Sequence, residues 1–133
     1  MQRAMQWVQR LRRYKRRDIR VEFVINGQSC NLLTDDIMYI TKEKRLKKLA
    51  LHLWMPDIGS KVIYYRAALA EEAERLRPCG LHKVQKSEIV NMQQVQVVEE
   101  DHLLMMDGSR VYFDPRKHSE TNLLFTSTLE DDR

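Results

Sequence analysis

Apolar and polar residues alternate along several short segments of this chain, and the alternation predicts strands. In residues 19–25 every second side chain is isoleucine, valine or phenylalanine, whereas Arg20 and Glu22 fall on the opposite side of an extended backbone. A period of two is typical of a half-buried strand. Asn26 and Gly27 follow directly, and both residue types tolerate the positive φ angles of a tight hairpin turn. The first predicted element is therefore a hairpin with its return strand at residues 28–33.

The remaining β-type segments are short and closely spaced. Strands are predicted at residues 37–40, 46–54, 62–65, 95–98, 103–106 and 110–113. Turn-forming residues separate them at Asp35-Asp36, at residues 55–60 and at Asp107-Gly108. The predicted fold class is mainly β, with small antiparallel sheets.

One clear short helix is predicted within this β-rich body, at residues 67–76. Leu69, Ala73 and Leu76 form an apolar stripe at helical spacing, and charged residues fill most of the remaining positions. A second helix is predicted at residues 1–17, where apolar side chains recur every three or four positions between arginines. This N-terminal helix is both basic and amphipathic.

Charge is distributed unevenly along the sequence. The 133 residues carry a net charge of +4, but residues 1–20 hold eight arginines and lysines against one aspartate, a local charge of +7. The rest of the chain therefore carries −3. Three interpretations of the N-terminal helix stay open: an arm that contacts DNA, a helix lying on an anionic membrane, or a helix that packs on the body or a partner. Nucleic-acid binding by the body has to depend on local clusters of cations.

The densest cluster of cations in the body is the run Thr41 to Lys48, with five cations and one acid. Runs of this kind are commonly solvated loops. The alternative interpretation is a loop that contacts phosphate groups and positions the protein on a nucleic acid. Composition alone leaves both interpretations open.

Several functional classes find no support in the sequence. Hydrophobic residues make up 43% of the chain, enough for a packed core, but no apolar run approaches the roughly 20 residues of a membrane span. Arginines occupy the positions that a signal peptide keeps apolar, so we expect a cytoplasmic protein. The four histidines lack metal-ligand spacing, and Cys30 and Cys79 are interpreted as small buried side chains. We expect neither an enzyme nor a cofactor.

Four motifs follow one another along residues 19–125. They are DIMYI at residues 36–40, the spaced Tyr, Leu, Glu and Leu of residues 65–76, LHKVQKSEIVN at 81–91, and the segment from Leu104 to Lys117 with its Asp-Gly turn. This ordered series resembles the LytTR-type DNA-binding domain, the output module of LytR/AlgR-class bacterial response regulators. The domain is expected at residues 19–126, between an N-terminal arm at 1–18 and an acidic tail at 127–133.

The resemblance implies a stand-alone transcriptional regulator that binds promoter DNA. Proteins of this family bind duplexes at tandem direct repeats, insert loops from one edge of their small sheets into successive major grooves, and bend the DNA. A second copy of the chain is therefore expected on an adjacent site. The N-terminal helix also resembles the last helix and linker of a receiver domain.

Carried over position by position, the resemblance implicates cations from three separate segments. The predicted DNA-binding residues are Lys42, Lys44 and Arg45 in the first loop, Lys83 and Lys86 around the third motif, and Arg116 and Lys117 after the last strand. Arginine can bridge O6 and N7 of a guanine, whereas a lysine more often contacts a phosphate. These side chains are expected to converge along one rim of the body.

Two departures from the family pattern keep a second hypothesis open. Gln85 and Lys86 stand where the family commonly has histidine and arginine, so weaker discrimination between bases is expected. Together with the acidic body, these changes favour the second hypothesis, in which the protein keeps the fold but does not read DNA. It would then be an interaction module that binds a protein or a membrane through residues 1–17. Ser87 and Asn91 are interpreted as residues that tie loop backbone groups rather than as DNA contacts.

Overall fold

The computed structural model describes residues 17–131, which form two compact units at residues 17–91 and 92–131. The predicted arm of residues 1–18 lies outside the described residues except for Arg17 and Asp18, and so do the last two residues of the predicted tail. The predicted LytTR-like domain of residues 19–126 includes parts of both units, and its bounds stay a prediction.

The unit of residues 17–91 contains a two-stranded and a five-stranded sheet, both antiparallel. In the small sheet, β1 (Arg20–Ile25) and β2 (Gln28–Leu33) form the predicted hairpin, and φ is 53° at Asn26 and 78° at Gly27. The large sheet is built from β3 (Ile37–Glu43), β4 (Lys48–Met55), β5 (Gly59–Tyr65), β6 (Leu81–Gln85) and β7 (Glu88–Asn91). Its strand order is β5-β4-β3-β7-β6, so β3 lies at the centre.

The core of this unit lies on one face of the large sheet, under α1 (Leu69–Leu76). Ile40, Leu51 and Ile89 are fully buried there, and Phe23 of the hairpin joins the same cluster. The predicted helical stripe is confirmed, since Leu69 and Leu76 are buried and Ala73 packs against the core. Burial of each large side chain contributes about 1.5–3 kcal/mol, which sets the orientation of α1 on the sheet. Cys30 and Cys79 are free thiols of intermediate exposure.

A buried polar cluster also joins α1 to the strands beside it. The Glu72 carboxylate accepts a hydrogen bond from the Tyr65 hydroxyl at 2.7 Å and two from the Arg75 guanidinium at 2.8 Å. Arg75 donates as well to the carbonyl oxygen of Glu22 at 2.7 Å and lies 4.8 Å from the centroid of the Phe23 ring. Burial by itself would raise the pKa of Glu72, but these hydrogen bonds outweigh it and hold the pKa below its usual value.

Arg17 connects the start of the described chain to this unit. Its backbone N–H and its Nε donate to the two carboxylate oxygens of Asp35 at 2.6 and 2.9 Å, and the Asp35 side chain is fully buried. A buried carboxylate without such a partner is costly. Arg17 is therefore part of the folded unit, although it belongs to the predicted arm.

The unit of residues 92–131 combines a three-stranded antiparallel sheet with one helix. The strands are β8 (Val95–Val98), β9 (His102–Met105) and β10 (Arg110–Tyr112), and β9 lies between the other two. They agree with the predicted strands to within one residue at each end. The helix α2 (His118–Asp131) packs against β8 and the short 3₁₀ turn Met92–Gln94.

α2 is a second helix of the body, in addition to the clear one predicted at residues 67–76, and the sequence pattern did not indicate it. Its face toward the unit carries Thr121, Phe125 and Thr128, so the buried positions do not form an apolar stripe. The threonine hydroxyls donate to carbonyl oxygens four residues earlier, as from Thr121 to Lys117 at 2.9 Å. The backbone of residues 127–131, which were expected in an acidic tail, continues this helix.

The described residues confirm the predicted fold class, which is mainly β with small antiparallel sheets. No helix among residues 17–131 is long and apolar enough to cross a membrane. In the same part of the chain, histidine, cysteine, aspartate and glutamate side chains form no group that could hold a metal ion.

Candidate nucleic-acid interface

Three connections meet at one end of the five-stranded sheet. Glu43 at the end of β3 pairs with Lys48 at the start of β4, and Thr41 pairs with Glu88 at the start of β7. Because β3 lies between β4 and β7, the turn at residues 44–47 lies beside the turn at residues 86–87. The end of β5 is at the same end of the sheet, since Tyr65 pairs with Leu49. The connection from β5 to α1 therefore begins there as well.

A hydrogen bond ties two of these connections together. The backbone N–H of Lys42 donates to the carbonyl oxygen of Ser87 at 2.9 Å. This bond uses the backbone carbonyl of Ser87, so the role expected of the Ser87 side chain stays a prediction. Asn91 has the expected structural role: it is fully buried, and its Nδ2 donates to the carbonyl oxygens of Thr34 and Ile37 at 2.9 Å each.

A cleft of about 550 Å³ opens at this end of the sheet and is lined mainly by cations. Its lining consists of Leu49, residues 67–70 at the start of α1, and six lysines: Lys42, Lys44, Lys47, Lys48, Lys83 and Lys86. We call this site the lysine cleft. Four of the six, Lys42, Lys44, Lys83 and Lys86, belong to the predicted DNA-binding set.

The strand register explains why lysines from distant parts of the sequence gather here. Lys42 follows Ile40 by two positions, so both side chains project from the face of β3 that carries the core. Lys83 pairs across the strands with Ile89, whose side chain is buried on that same face. Beyond the end of the buried cluster, this face continues as a row of lysines beside the start of α1.

The turn between β3 and β4 supplies the other lysines of the run. The N–H of Lys47 approaches the carbonyl oxygen of Lys44 at 3.4 Å, and Lys47 has a positive φ of 53°. Such a backbone conformation is uncommon for a residue other than glycine. Arg45 is exposed on this turn but does not line the cleft, and its N–H donates to Glu43 Oε1 at 3.3 Å.

The electrostatic character of the lysine cleft is strongly positive. Within residues 17–131 no acidic side chain lines it, and none of its six ammonium groups forms an ion pair or a hydrogen bond with these residues. Ala68, the residue that precedes α1, offers no side-chain acceptor to the first backbone N–H groups of the helix. The positive end of the helix dipole adds to the field of the lysines.

Arg116 and Lys117 belong to the other unit, in the 3₁₀ turn Pro115–Lys117. The carboxylate of Asp114 accepts hydrogen bonds from the Arg116 backbone N–H at 3.0 Å and from Arg116 Nη2 at 2.7 Å. The pKa of Asp114 is lowered to about 2, mainly by hydrogen bonds from the Arg116 side chain and also by the one from the Arg116 backbone N–H. Asp114 thus keeps its charge and holds a guanidinium that is 90% exposed. The convergence of Arg116 with the lysines stays a prediction.

Two parts of this surface carried no usable signal in the sequence. The start of α1 lines the cleft with Ala67, Ala68 and Ala70, and alanine gives no indication of binding. A smaller recess of about 240 Å³ also includes Lys48 and extends the basic surface to Arg66, which no motif had marked. Only the pairing of β4 with β5 places these residues beside the lysines.

Comparison with solved structures decides the fold. The chain is similar to the LytTr DNA-binding domain of a protein from Bacillus cereus described as a methyl-accepting/DNA response regulator, with a TM-score of 0.61 and 18% sequence identity. The superposition covers 79% of this chain and 94% of that domain. This chain has a LytTR-type fold. No family model and no curated protein matches it by sequence. The LytTR-type fold expected from the ordered motifs is thereby confirmed.

Proposed function

We propose that this protein is a DNA-binding regulator of transcription that holds duplex DNA through the lysine cleft and the turns beside it. The single observation that carries the proposal is the gathering of six lysines, none of them in an ion pair within residues 17–131, at one end of the five-stranded sheet of a LytTR-type fold. The structurally similar Bacillus cereus domain is described as DNA-binding, which supports the same partner here.

The lysines would act on the phosphate backbone rather than on the bases. A lysine ammonium is a point charge on a flexible stem, so it suits a phosphate better than the fixed donor and acceptor pattern of a base edge. Each phosphate that is neutralised releases counterions and adds about 0.9 to the slope of log affinity against log salt concentration. Five or six such contacts would give a slope of roughly −4.5 to −5.4.

Base reading is assigned to Arg116, whose exposed guanidinium is oriented by Asp114. Its planar fork can bridge O6 and N7 of a guanine in the major groove. Lys117 follows Arg116 in the sequence, and Arg45 lies on the turn between β3 and β4; both are exposed and would contact phosphates. On tandem sites two copies would bind side by side, and a regulator of this kind would act in the cytoplasm without catalysis.

The test is a salt titration of duplex binding, followed by fluorescence anisotropy, using duplexes selected from a random pool. Lys44→Ala and Lys86→Ala should each reduce the magnitude of the salt slope by about 0.9. Lys61→Ala is the matched control, because Lys61 is an exposed lysine on β5 that does not line the cleft. Absence of duplex binding at low salt, or equal losses in all three variants, would contradict the proposal.

A second candidate function is protein binding through β5. This strand is at the edge of the large sheet, and its Val62 and Tyr64 are 42% and 43% exposed, with Ile58 just before it 76% exposed. Exposed apolar groups on an unpaired edge favour contact with another protein. If the titration finds no duplex binding, this surface becomes the first to test by substitution of Val62 and Tyr64 with serine.

A further inference from the structure

We infer that the lysine cleft is also a receptor for free oligophosphate, which would compete with DNA for the same cations. The inference rests on the proposed function, since it assigns a second ligand to the same site. The shared chemistry is a row of closely spaced phosphate groups. These come either from a DNA strand or from a small linear phosphate chain in solution.

The lysine cleft has the size of a small-molecule site. A volume of about 550 Å³ lies within the range of roughly 300–1,000 Å³ that is usual for small-molecule sites. Contacts to the outside of a duplex require exposed side chains but no concave site. The walls are well ordered by the fold, because Leu49 is 2% exposed and the hydrogen bond from Lys42 to Ser87 fixes the turns.

The charge of the lysine cleft is unbalanced. Six cations share one small volume, and among the described residues no carboxylate lines it or neutralises them. Like charges held this close repel one another and oppose folding unless an anion is bound. The backbone of residues 67–70 adds the positive end of α1 to the same volume. An anion with several charges relieves this repulsion better than one with a single charge.

The residues that line the cleft also indicate which class of anion fits. No aromatic ring is among the described residues that line the cleft, so nothing there would stack on a nucleobase. The apolar part of the lining is Leu49, Leu69 and three alanines, which offer no specific recognition of a sugar. Flexible lysine stems can instead follow a chain of phosphates with charge-assisted hydrogen bonds. The ligand class is therefore the phosphate chain itself, with no requirement for a base.

The experiment uses sodium tripolyphosphate as the probe and the full chain as the protein. Isothermal titration should show saturable binding, and tripolyphosphate should displace a labelled duplex at concentrations where sodium chloride of equal ionic strength does not. The double variant Lys44→Ala/Lys86→Ala should bind tripolyphosphate roughly tenfold or more weakly, as expected when charge-assisted hydrogen bonds are lost. Lys61→Ala should bind like the wild type, and a nucleoside triphosphate should bind no better than tripolyphosphate.

The outcomes separate this inference from the proposed function. If the wild type binds duplex but tripolyphosphate gives no saturable binding, or competes no better than matched sodium chloride, the inference is overturned and DNA binding stands. If neither ligand binds, both proposals are overturned. If the double variant retains tripolyphosphate binding, the site is wrong. Thermal unfolding excludes misfolding as the cause, since removal of two mutually repelling charges should leave the melting temperature equal or higher.

Discussion

The Glu72–Arg75 pair on α1 leads to a quantitative prediction, because a similar pair beside it provides the comparison. Glu72 and Arg75 are three residues apart, and the Glu72 side chain is 8% exposed. Glu74 and Arg77 have the same spacing, but their side chains are 72% and 58% exposed. Arg75→Ala should therefore destabilise the protein far more than Arg77→Ala, although both substitutions remove an arginine from a pair with the same spacing.

The magnitude follows from the contacts that are lost. Arg75→Ala removes two hydrogen bonds to a buried carboxylate at 2.8 Å and one to the Glu22 carbonyl oxygen at 2.7 Å. Breaking a buried pair costs about 3–5 kcal/mol, and the cost is smaller here because Arg75 is 39% exposed. We expect about 2–3 kcal/mol for Arg75→Ala and under about 0.5 kcal/mol for Arg77→Ala.

Urea unfolding followed by circular dichroism measures both values, and double-mutant cycles with Glu72→Gln and Glu74→Gln isolate the pair energies. The dependence of the free energy of unfolding on pH in the acidic range adds an independent check. The folded pKa of Glu72 lies below its ordinary value of 4.5, so the stabilisation is present above that pH and is lost as pH falls through the folded pKa. The advantage of the wild type over Glu72→Gln should shrink in that window. Equal costs for the two arginine variants would refute the assignment of the difference to burial.

Two further predictions concern the DNA contact and the start of the chain. Arg116→Ala should weaken binding of a selected duplex by about 1–3 kcal/mol and relax preference at one base position, whereas Lys117→Ala should weaken all sequences alike. Equal weakening of random and selected duplexes by Arg116→Ala would exclude base reading. Removal of residues 1–16 should leave the free energy of unfolding unchanged, whereas Arg17→Ala should cost about 2–4 kcal/mol, because it removes the guanidinium from the buried Asp35 carboxylate and leaves only the hydrogen bond from the backbone N–H of residue 17. Loss of cooperative unfolding after removal of residues 1–16 would show that the arm belongs to the core.

Strands with one buried face were the most predictable part of the fold. The bounds of β2 and β8 agree with those predicted, and β1 differs by one residue. Other strands begin or end at different residues from those predicted, because pairing with neighbouring strands sets their length. β3 continues to Glu43 through a charged segment because its neighbours hold the backbone extended. Thr41 pairs with β4 on one side and β7 on the other, and Lys42 pairs with β4 and donates a hydrogen bond to the turn at Ser87. Tertiary pairing overrides local propensity at such positions.

The second helix could not be predicted for a different reason. The period of 3.6 in α1 is visible because its buried side chains are mostly apolar, whereas α2 buries threonines between its apolar residues. A threonine hydroxyl that donates its hydrogen bond to a carbonyl oxygen of its own helix can be buried without a partner elsewhere in the structure. The apolar pattern then disappears from the sequence while the helix remains.

The lysine run from Thr41 to Lys48 shows why composition left two interpretations open. Lys44 and Lys47 line the cleft, whereas Arg45 does not and Leu46, at the tip of the turn, is 51% exposed. The turn therefore sorts neighbouring side chains into those that share a common volume and those that do not. What adds Lys86 to this group is the position of β7 beside β3, which no local pattern specifies. The order of motifs along the sequence could indicate candidate DNA-binding residues. The order of strands in the sheet determines which of their charges lie close enough to act on one ligand.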